Sequence, residues 1–376
     1  MKKRLSTLAL AWLAAMLTLV YVAGGALAAP SASPYGDSAS TALKWIATQQ
    51  SPDGSFAGFG AGSTVDAVLS IVAAGGHADS FAHGYNAVTF LQDNAGAIAK
   101  TAGGAGKLLV AVSALGQSGK SFGGVDLVGA INATYGISAT GRYGPDALGH
   151  AFAILGLHSA GEAVPADAVA QLESLQTSDG GWAFTGDTAP GAADTNTTAV
   201  AVQALIAAGA TGSTLDKGTA YLASQQNDDG GWPYQKGGQF GSESDVNSTS
   251  YVVQAMLAVK NAALVEAGQS YIVSLQNPSG AFPYQKSQPD DNPGATYQAI
   301  AALLGATLVV PEATAEVALT ATPLATVVSN PAAPTPVAPG MPVTGAGADW
   351  LSIAALVLAA FALSATGLAI SKSTTK

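Results

Sequence analysis

The segment SLQTSDGGWAFTG, residues 174–186, recurs in altered form along the chain. Its relatives are SQQNDDGGWPYQ at 224–235, SLQNPSGAFPYQ at 274–285 and TQQSPDGSFAGF at 48–59. Each copy contains a Gln, a short polar turn, a glycine and an aromatic residue. A pattern that returns at regular intervals is typical of a repeat architecture, in which each unit stacks on its neighbours.

The glutamines give the number of units. Gln176, Gln226 and Gln276 are spaced by 50 residues, and Gln50 and Gln92 by 42. The interval from Gln92 to Gln176 is twice 42, so we expect one further unit with a faded marker between them. The sequence therefore predicts six units.

Each unit consists of two segments with apolar residues at helical spacing. The first segment ends at the Gln, and the second opens at a polar cluster, as in residues 194–209 and 245–259. Asp194 and Asp245 are of a type favoured at helix N-caps. The sequence therefore predicts an all-α domain over residues 35–310 with about twelve helices.

The motif itself suits a junction between helical hairpins. A hairpin cannot bury its apolar face alone, so it must pack on its neighbours. The Gln can hydrogen-bond free backbone groups at a helix end, the aromatic ring can cover that corner, and glycine permits a sharp turn. We expect the motif to fasten successive hairpins together.

The pattern Q-x-x-D-G-G-W resembles the QW repeat of squalene–hopene and oxidosqualene cyclases, and the resemblance covers residues 40–308. The same α/α toroid serves protein prenyltransferase β subunits and cobalamin-binding transport proteins. The resemblance implies an (α/α)6 barrel of about six helical hairpins, with six inner helices closed into a ring inside six outer helices. It also implies a functional site at the mouth where the inner helices begin.

The segment DTNTT, which starts at Asp194, resembles the D-x-D-T-T signature of class II terpene cyclases. In that family the central Asp protonates an alkene or an epoxide. Asn196 stands at this position, and an amide cannot act as the acid. The alternative interpretation is that Asp194 and Thr195 cap a helix, as these residue types often do. In a diverged cyclase, Asp194 or Asp291 would have to supply the acid.

Candidate ligand-binding residues lie at the starts of the inner helices. Alignment of the units places Asn196, Asn247 and Asp291 at equivalent positions. The residues that follow them are then also equivalent to one another, namely Thr197, Ser248 and Asn292. Asp66 and Tyr251 fall one helical turn further along. A concave wall with a few convergent polar groups is typical of a ligand site. The candidates are Asp66, Asp194, Asn196, Thr197, Asp245, Asn247, Ser248, Tyr251, Asp291 and Asn292.

Composition disfavours several other classes of function. The chain has no cysteine, so the zinc ligands that a protein prenyltransferase would imply are incomplete. Its four histidines match no common metal-binding spacing. We therefore expect no metal and no cofactor. The formal charge of −10 disfavours binding to nucleic acid, which needs cationic contacts.

The two ends of the sequence carry export and anchoring signals. Residues 1–28 combine three basic residues, an apolar run and Ala-Leu-Ala, which predicts a secretory signal peptide. Residues 311–340 are rich in Pro, Ala and Thr and predict an extended stalk. Residues 350–370 are uncharged and long enough to cross a bilayer.

The segment MPVTG directly before this apolar stretch resembles the LPxTG sorting signal of Gram-positive surface proteins, with Met in place of Leu. Within residues 341–376 the pentapeptide, the apolar segment and the basic tail follow the order of that signal. The resemblance implies cleavage between Thr344 and Gly345 and attachment to the cell wall. An uncut membrane anchor is the alternative, and both place the domain outside the cell.

These observations favour an exported, surface-anchored toroid that binds a small molecule or a surface partner without catalysis. The reasons are the Asn at the acid position, the missing zinc ligand, the stalk and the anchor. The alternative is an enzyme, either a diverged class II terpene cyclase or a glycan-active enzyme that uses the toroid cavity.

Overall fold

The computed structural model describes residues 33–309, so the predicted signal peptide, stalk and sorting signal lie outside the described residues. This part of the chain contains twelve helices and no strand, which confirms the all-α prediction. The odd-numbered helices are α1 (Gly36–Ala47), α3 (Ala87–Ile98), α5 (Leu127–Asn132), α7 (Ala166–Ser174), α9 (Ser213–Ser224) and α11 (Ala262–Ser274). The even-numbered helices are α2 (Gly60–Ala73), α4 (Ala102–Ala114), α6 (Ala147–Ser159), α8 (Thr195–Ala207), α10 (Val246–Ala258) and α12 (Pro293–Leu303).

The even-numbered helices are the inner helices. In α8 every residue except Ile206 is buried, whereas α9 buries Gly218, Tyr221 and Leu222 alone. A helix that is covered on nearly all sides belongs to the centre of a helical protein, and a helix with one apolar face belongs to its surface. The six hairpins therefore place one helix inside and one outside, as predicted.

The inner helices form a closed ring, because each contacts the inner helices before and after it in the chain. The ring closes where α12 packs on α2. There the Tyr297 hydroxyl donates to the carbonyl of Ala57 over 2.9 Å, and the Ser70 hydroxyl donates to the carbonyl of Tyr297. At the neighbouring junction with the start of α1, Ser33 Oγ donates to the carbonyl of Leu303 over 2.5 Å. The fold is an α/α toroid.

The Gln and Gly of the repeated motif hold each unit to the next outer helix. Gln176 Nε2 donates to the carbonyl of Gly180 over 2.8 Å and closes the turn. A Cβ on Gly180, at φ +96°, would lie 2.7 Å from the carbonyl of Lys217 in α9, so only glycine allows this approach. Gln176 also donates to the carbonyl of Thr214 at the start of α9 over 2.8 Å, and Gln276 in the last unit donates to the carbonyl of Ser38 in α1 over 2.9 Å. The same contact therefore also closes the outer ring.

The aromatic residue of the motif links the outer helix to the inner helix. The indole of Trp182 is fully buried, and its Nε1 donates to the carbonyl of Leu172 in α7 over 2.7 Å. Its backbone N–H donates to Thr198 Oγ1 in α8 over 2.9 Å. The same backbone bond joins three further pairs, namely Phe56 with Thr64, Trp232 with Thr249, and Phe282 with Thr296.

The second and third units differ from this plan. Gln92 lies inside α3, which continues to Ile98, so it does not end an outer helix and its use as a repeat marker was wrong. In the third unit His150 takes the place of the Thr, because its Nδ1 accepts the backbone N–H of Tyr143 over 3.1 Å. Its Nε2 donates to the carbonyl of Ala168 over 2.9 Å. Burial lowers the pKa of His150 to about 4, which keeps the ring neutral in this structural role.

Glycines bring α4 and α6 unusually close together. A Cβ on Gly106 would lie 2.3 Å from the carbonyl oxygen of Phe152, and a Cβ on Gly156 would lie 2.6 Å from the carbonyl oxygen of Gly106. One turn earlier, a Cβ on Gly103 would lie 2.9 Å from the Cα of Gly149. This side of the ring is therefore packed backbone against backbone.

We expect Gly106→Ala to lower the free energy of unfolding by about 1–3 kcal/mol, because the added methyl group meets backbone atoms that cannot rotate away. Gly96→Ala in α3 is the matched control, since its Cβ would meet only Val125 at 3.8 Å on an exposed face. That change should stabilise the helix by up to about 1 kcal/mol. Urea unfolding measures both variants, and equal effects would contradict the close packing of α4 on α6.

Candidate functional site

A layer of six residues, one from each inner helix, crosses the middle of the ring. The N-caps of five inner helices fix the register, and in each of these helices the layer residue is the sixth after the cap. In α2 the register comes from Thr64, which accepts the N–H of Phe56 as Thr198 accepts that of Trp182. The layer consists of Asp66, Lys107, Phe152, Val200, Tyr251 and Gln298, and all six are buried.

Lys107 occupies the centre of this layer. Its Nζ lies 2.6 Å from Asp66 Oδ1 and 5.7 Å from the centroid of the Phe152 ring. It also interacts electrostatically with Tyr251, although α4 and α10 lie on opposite sides of a ring of six. The lysine side chain therefore spans the lumen. We call Asp66, Lys107, Tyr251 and Gln298 the lumen cluster.

The charges of the lumen cluster balance each other. Burial opposes a charged ammonium, but the attraction of Asp66 and of Tyr251 outweighs it and raises the pKa of Lys107. The amide of Gln298 donates to the Tyr251 hydroxyl over 3.4 Å. The cluster thus places an ammonium, ion-paired with a carboxylate, in the middle of the toroid.

Two asparagines lie one helical turn closer to the mouth. Asn196 precedes Val200 by four residues and Asn247 precedes Tyr251 by four, so each shares a helix face with a layer residue. Asn196 is 5% exposed and Asn247 is 1% exposed. The predicted register of Asn196, Asn247, Asp66 and Tyr251 therefore agrees with the structure.

The carboxylates next to these asparagines cap helices. Asp194 Oδ1 accepts the N–H of Thr197 over 2.7 Å, and its Oδ2 accepts the N–H of Phe184 over 2.9 Å. Asp245 accepts the N–H of Ser248 over 2.6 Å and the hydroxyl of Ser248 over 2.7 Å. Both carboxylates are buried and engaged by donors, so the capping interpretation is confirmed for Asp194, whereas Thr195 is the first residue of α8 and does not cap it. The backbone of Thr197 and both groups of Ser248 serve these caps.

The predicted register was wrong in the last unit. Asn292 is the N-cap of α12, because its side chain accepts the N–H of Ala295 over 2.9 Å. Asn292 therefore corresponds to the caps Asp194 and Asp245. The sequence alignment had paired it with Thr197 and Ser248, which lie three positions after those caps. Asp291 is exposed and accepts from Asn277 Nδ2 over 2.8 Å. Asp291 belongs to the outer turn and not to the mouth, because the preceding loop in this unit is shorter.

The chain itself closes the other end of the lumen. After α12 the backbone turns back, and the N–H of Leu308 donates to Gln203 Oε1 in α8 over 2.9 Å. The Leu308 side chain is 6% exposed. The lumen is therefore bounded by the lumen cluster across its middle and by Leu308 at the end opposite the mouth.

Sequence reasoning missed Lys107 and Gln298. Lys107 stands in the segment GGAGKLLVAVSAL, where it is the single charged residue among small and apolar ones. A lone charge in an otherwise buried helix was the available signal, since charged residues are almost never fully buried unless they are paired. Gln298 was missed because the predicted register of α12 was wrong. Counted from the N-cap Asn292, it is the sixth residue and belongs to the layer.

We expect the free energy of unfolding to fall as the pH rises from the ordinary Asp pKa of 3.8 to about 7, because two buried Asp carboxyls outweigh the opposite contribution of His150, whose pKa is lowered from 6.5 to about 4. Burial raises the pKa of Asp194 to about 6 and that of Asp245 to about 7. The folded state therefore binds more protons than the unfolded state within this window, and this contribution is complete below it and lost above it. The limiting slope is about 1.4 kcal/mol per pH unit for each group.

Urea unfolding across this pH range measures the effect. Asp245→Asn keeps an acceptor for the N–H of Ser248 but does not titrate, so it should flatten the upper part of the slope. If Asp245→Asn showed the same pH slope as the parent, the hydrogen bonds to Asp245 would offset its burial and the prediction would be wrong.

The described residues provide neither a metal site nor a membrane span. Among residues 33–309, no group of three His, Cys, Asp or Glu side chains is arranged to hold a metal ion. Within the same range, no helix has both the length and the apolar composition needed to cross a membrane.

Comparison with known proteins supports the fold. Residues 148–321 match the family described as the prenyltransferase α/α toroid domain. A solved structure of a protein from Actinoplanes has 15% identity and a TM-score of 0.55, covering 72% of this chain and 98% of its own. No curated protein matches the chain.

The type II terpene cyclase MstE from Scytonema is also similar in structure. A variant of it in complex with geranylgeranyl dihydroxybenzoate has 13% identity and a TM-score of 0.55, covering 71% of this chain and 96% of the cyclase. The apo cyclase gives 13% identity and a TM-score of 0.54. At these identities the similarity shows the toroid fold, in agreement with the superfamily that the repeat motif resembles.

Proposed function

We propose that this toroid is a non-catalytic binding domain, exported and anchored at the cell surface, which takes a small polar molecule at the mouth of its inner ring. The observation that carries the proposal is that the mouth carboxylates are already engaged. Asp194 and Asp245 cap helices, and Asp66 is paired with Lys107. The position that resembles the cyclase acid is Asn196.

The lumen cluster also disfavours terpene cyclisation. A cyclase chamber stabilises carbocations with aromatic faces. Here a charged ammonium spans the lumen, and it lies 5.7 Å from the ring of Phe152, one of the two aromatic side chains in the layer. A positive charge at this place would raise the energy of a carbocation. The layer contains a single carboxylate, Asp66, so it also lacks the carboxylate pair that glycoside hydrolysis uses.

Export and anchoring rest on the sequence of the two ends. A signal peptide over residues 1–28 and a sorting segment over residues 341–376 would place residues 35–310 outside the cell. Labelling of intact cells with an antibody against the toroid tests this placement. A protein that is labelled only after the cells are lysed would contradict it.

The binding function is tested with the full chain purified from its own cells. Mass spectrometry of the material that it releases on denaturation should identify a retained small molecule. Incubation with squalene or with a geranylgeranyl substrate should give no cyclised product, and Asn196→Asp should give none either, because Lys107 remains. A cyclised product from the parent chain would overturn the proposal in favour of the cyclase.

A further inference from the structure

A groove crosses the outer surface of the toroid at the end opposite the mouth. It lies between the exposed face of α9 and the turn that joins α10 to α11, and its volume is about 760 Å³. Ile206, the one residue of α8 that is not buried, belongs to its lining. The lining is mainly apolar and includes Ile206, Leu215, Ala220, Ala223, Ala258 and Val259. We call this surface the α9 groove.

Lys260, at the edge of the α9 groove, has an unfavourable backbone conformation. It stands two residues after the end of α10, at φ +61°. A left-handed conformation is less favourable for lysine than for glycine, so the fold alone would favour glycine here. The lysine therefore points to a role for its side chain. Glycines at φ +68° to +75° occupy the same place after the other five inner helices, namely Gly75, Gly116, Gly161, Gly209 and Gly305.

The ammonium of Lys260 has no ionic partner among residues 33–309. The ion pairs in this range are made by Lys107 and Lys120. Asp216 also lines the α9 groove, but it forms no ion pair with Lys260. An exposed cation beside an apolar groove suits an occupant that combines a carboxylate with apolar side chains.

The sequence directly after the described residues has this composition. Glu312 and Glu316 are the only charged residues between positions 310 and 340, and Ala, Val and Leu surround them. Residues 312–322 contain no proline, whereas residues 323–340 contain five. The match to the toroid family ends at residue 321, close to this change in composition. Residues 311–322 therefore differ from the Pro-rich stretch that follows them.

The position of Leu308 brings this segment close to the α9 groove. The N–H of Leu308 is bonded to the side chain of Gln203, which precedes Ile206 by three residues on α8. Those three residues rise about 5 Å along the helix axis, and an extended chain advances about 3.3 Å per residue. Glu312 and Glu316 can therefore reach the α9 groove over the end of α8. A segment tethered at this distance has an effective concentration of the order of millimolar, which favours it over a free partner.

We propose that residues 311–322 dock in the α9 groove as a strap. The carboxylate of Glu312 or Glu316 pairs with Lys260, and the apolar side chains of Val317 and Leu319 cover the apolar lining. This inference does not depend on a ligand at the mouth. It fixes the start of the stalk to the end of the toroid opposite the mouth, so an anchored chain would present its mouth away from the cell surface.

Zero-length crosslinking of the full chain tests the ion pair. A carbodiimide joins an ammonium to a carboxylate only where the two groups are in contact, and mass spectrometry of the digest should find Lys260 linked to Glu312 or Glu316. Lys217, exposed on α9 outside the α9 groove, is the internal control and should give no such link. The proposal fails if neither link forms, or if the link joins two copies of the chain as a covalent dimer.

Protease protection measures how completely the strap is docked. Glutamyl endopeptidase cleaves after Glu312 and Glu316. In the full chain it should do so about tenfold more slowly than in a free peptide of residues 306–326, because only the undocked segment is cleaved. Equal cleavage rates in the chain and in the peptide would overturn the proposal.

Lys260→Gly removes the cation and restores the glycine that follows the other inner helices. The substitution relieves the left-handed conformation, so faster cleavage cannot come from a damaged fold. Cleavage after Glu312 and Glu316 should accelerate about twofold or more, as expected for the loss of an exposed ion pair. Lys217→Gln is the matched control and should cleave at the rate of the parent.

Ala220→Glu tests the apolar contact. It places a carboxylate in the apolar lining of the α9 groove, so cleavage should approach the rate of the free peptide. Ala97→Glu, on the exposed face of α3, is the matched control and should not change the rate. If neither Lys260→Gly nor Ala220→Glu accelerated cleavage, the segment would be protected somewhere else and the proposal would be wrong.

Discussion

Replacing Lys107 by Met is expected to lower the free energy of unfolding by about 3–5 kcal/mol. Met fills a similar volume but leaves the carboxylate of Asp66 buried without its partner, which lies 2.6 Å away in the parent. An unpaired buried charge is among the most unfavourable groups that a protein can contain. Urea unfolding at pH 7 measures the change.

A double-mutant cycle separates this charge effect from lost packing. Asp66→Leu combined with Lys107→Met removes both charges, and the double variant should recover most of the stability that Lys107→Met loses, because apolar pairs often replace buried ion pairs without cost. A double variant as unstable as the single one would show that packing around Lys107, rather than its pairing with Asp66, stabilises the ring.

Replacing Trp182 by Ala is expected to lower the free energy of unfolding by about 3–5 kcal/mol. The side chain is fully buried at the junction of α7 and α8, and its Nε1 donates to the carbonyl of Leu172. The substitution creates a cavity and leaves that carbonyl without its donor. Thermal and urea unfolding measure the loss.

Trp182→Phe is the informative control, because Phe56 and Phe282 occupy the equivalent place in the first and last units. It retains most of the ring packing but loses the indole donor, so it should cost clearly less than Trp182→Ala. If the two substitutions were equally harmful, the hydrogen bond to Leu172 would be the main contribution of this residue and cavity formation a minor one.

The repeat made most of the fold predictable from the sequence. The spacing of Gln176, Gln226 and Gln276 predicted the hairpins of the last three units. Each Gln closes its own turn, and Gln176 and Gln276 also donate to the next outer helix, as expected. The prediction was wrong at Gln92, because the residue type alone does not distinguish a Gln inside an amphipathic helix from a Gln at its end. It also failed to foresee His150, which replaces a Thr by accepting the same backbone N–H.

The candidate site was predictable in part. Asp66 and Tyr251 were placed on the lumen side because helical periodicity carries that information. Asp291 was misplaced, since alignment by residue type favoured a carboxylate over the capping Asn292. Lys107 was not foreseen, because contacts across the ring join residues that are far apart in the sequence and no local pattern encodes them.

The first and last hairpins of the toroid meet at one junction, where Ser33 Oγ donates to the carbonyl of Leu303. No peptide bond joins the first hairpin to the last, and noncovalent contacts hold these two hairpins together. A circular permutation that linked these two hairpins and opened another loop between hairpins would preserve the neighbours of every helix. Mechanical load applied between the two sides of this junction acts first on noncovalent contacts, because no peptide bond crosses it.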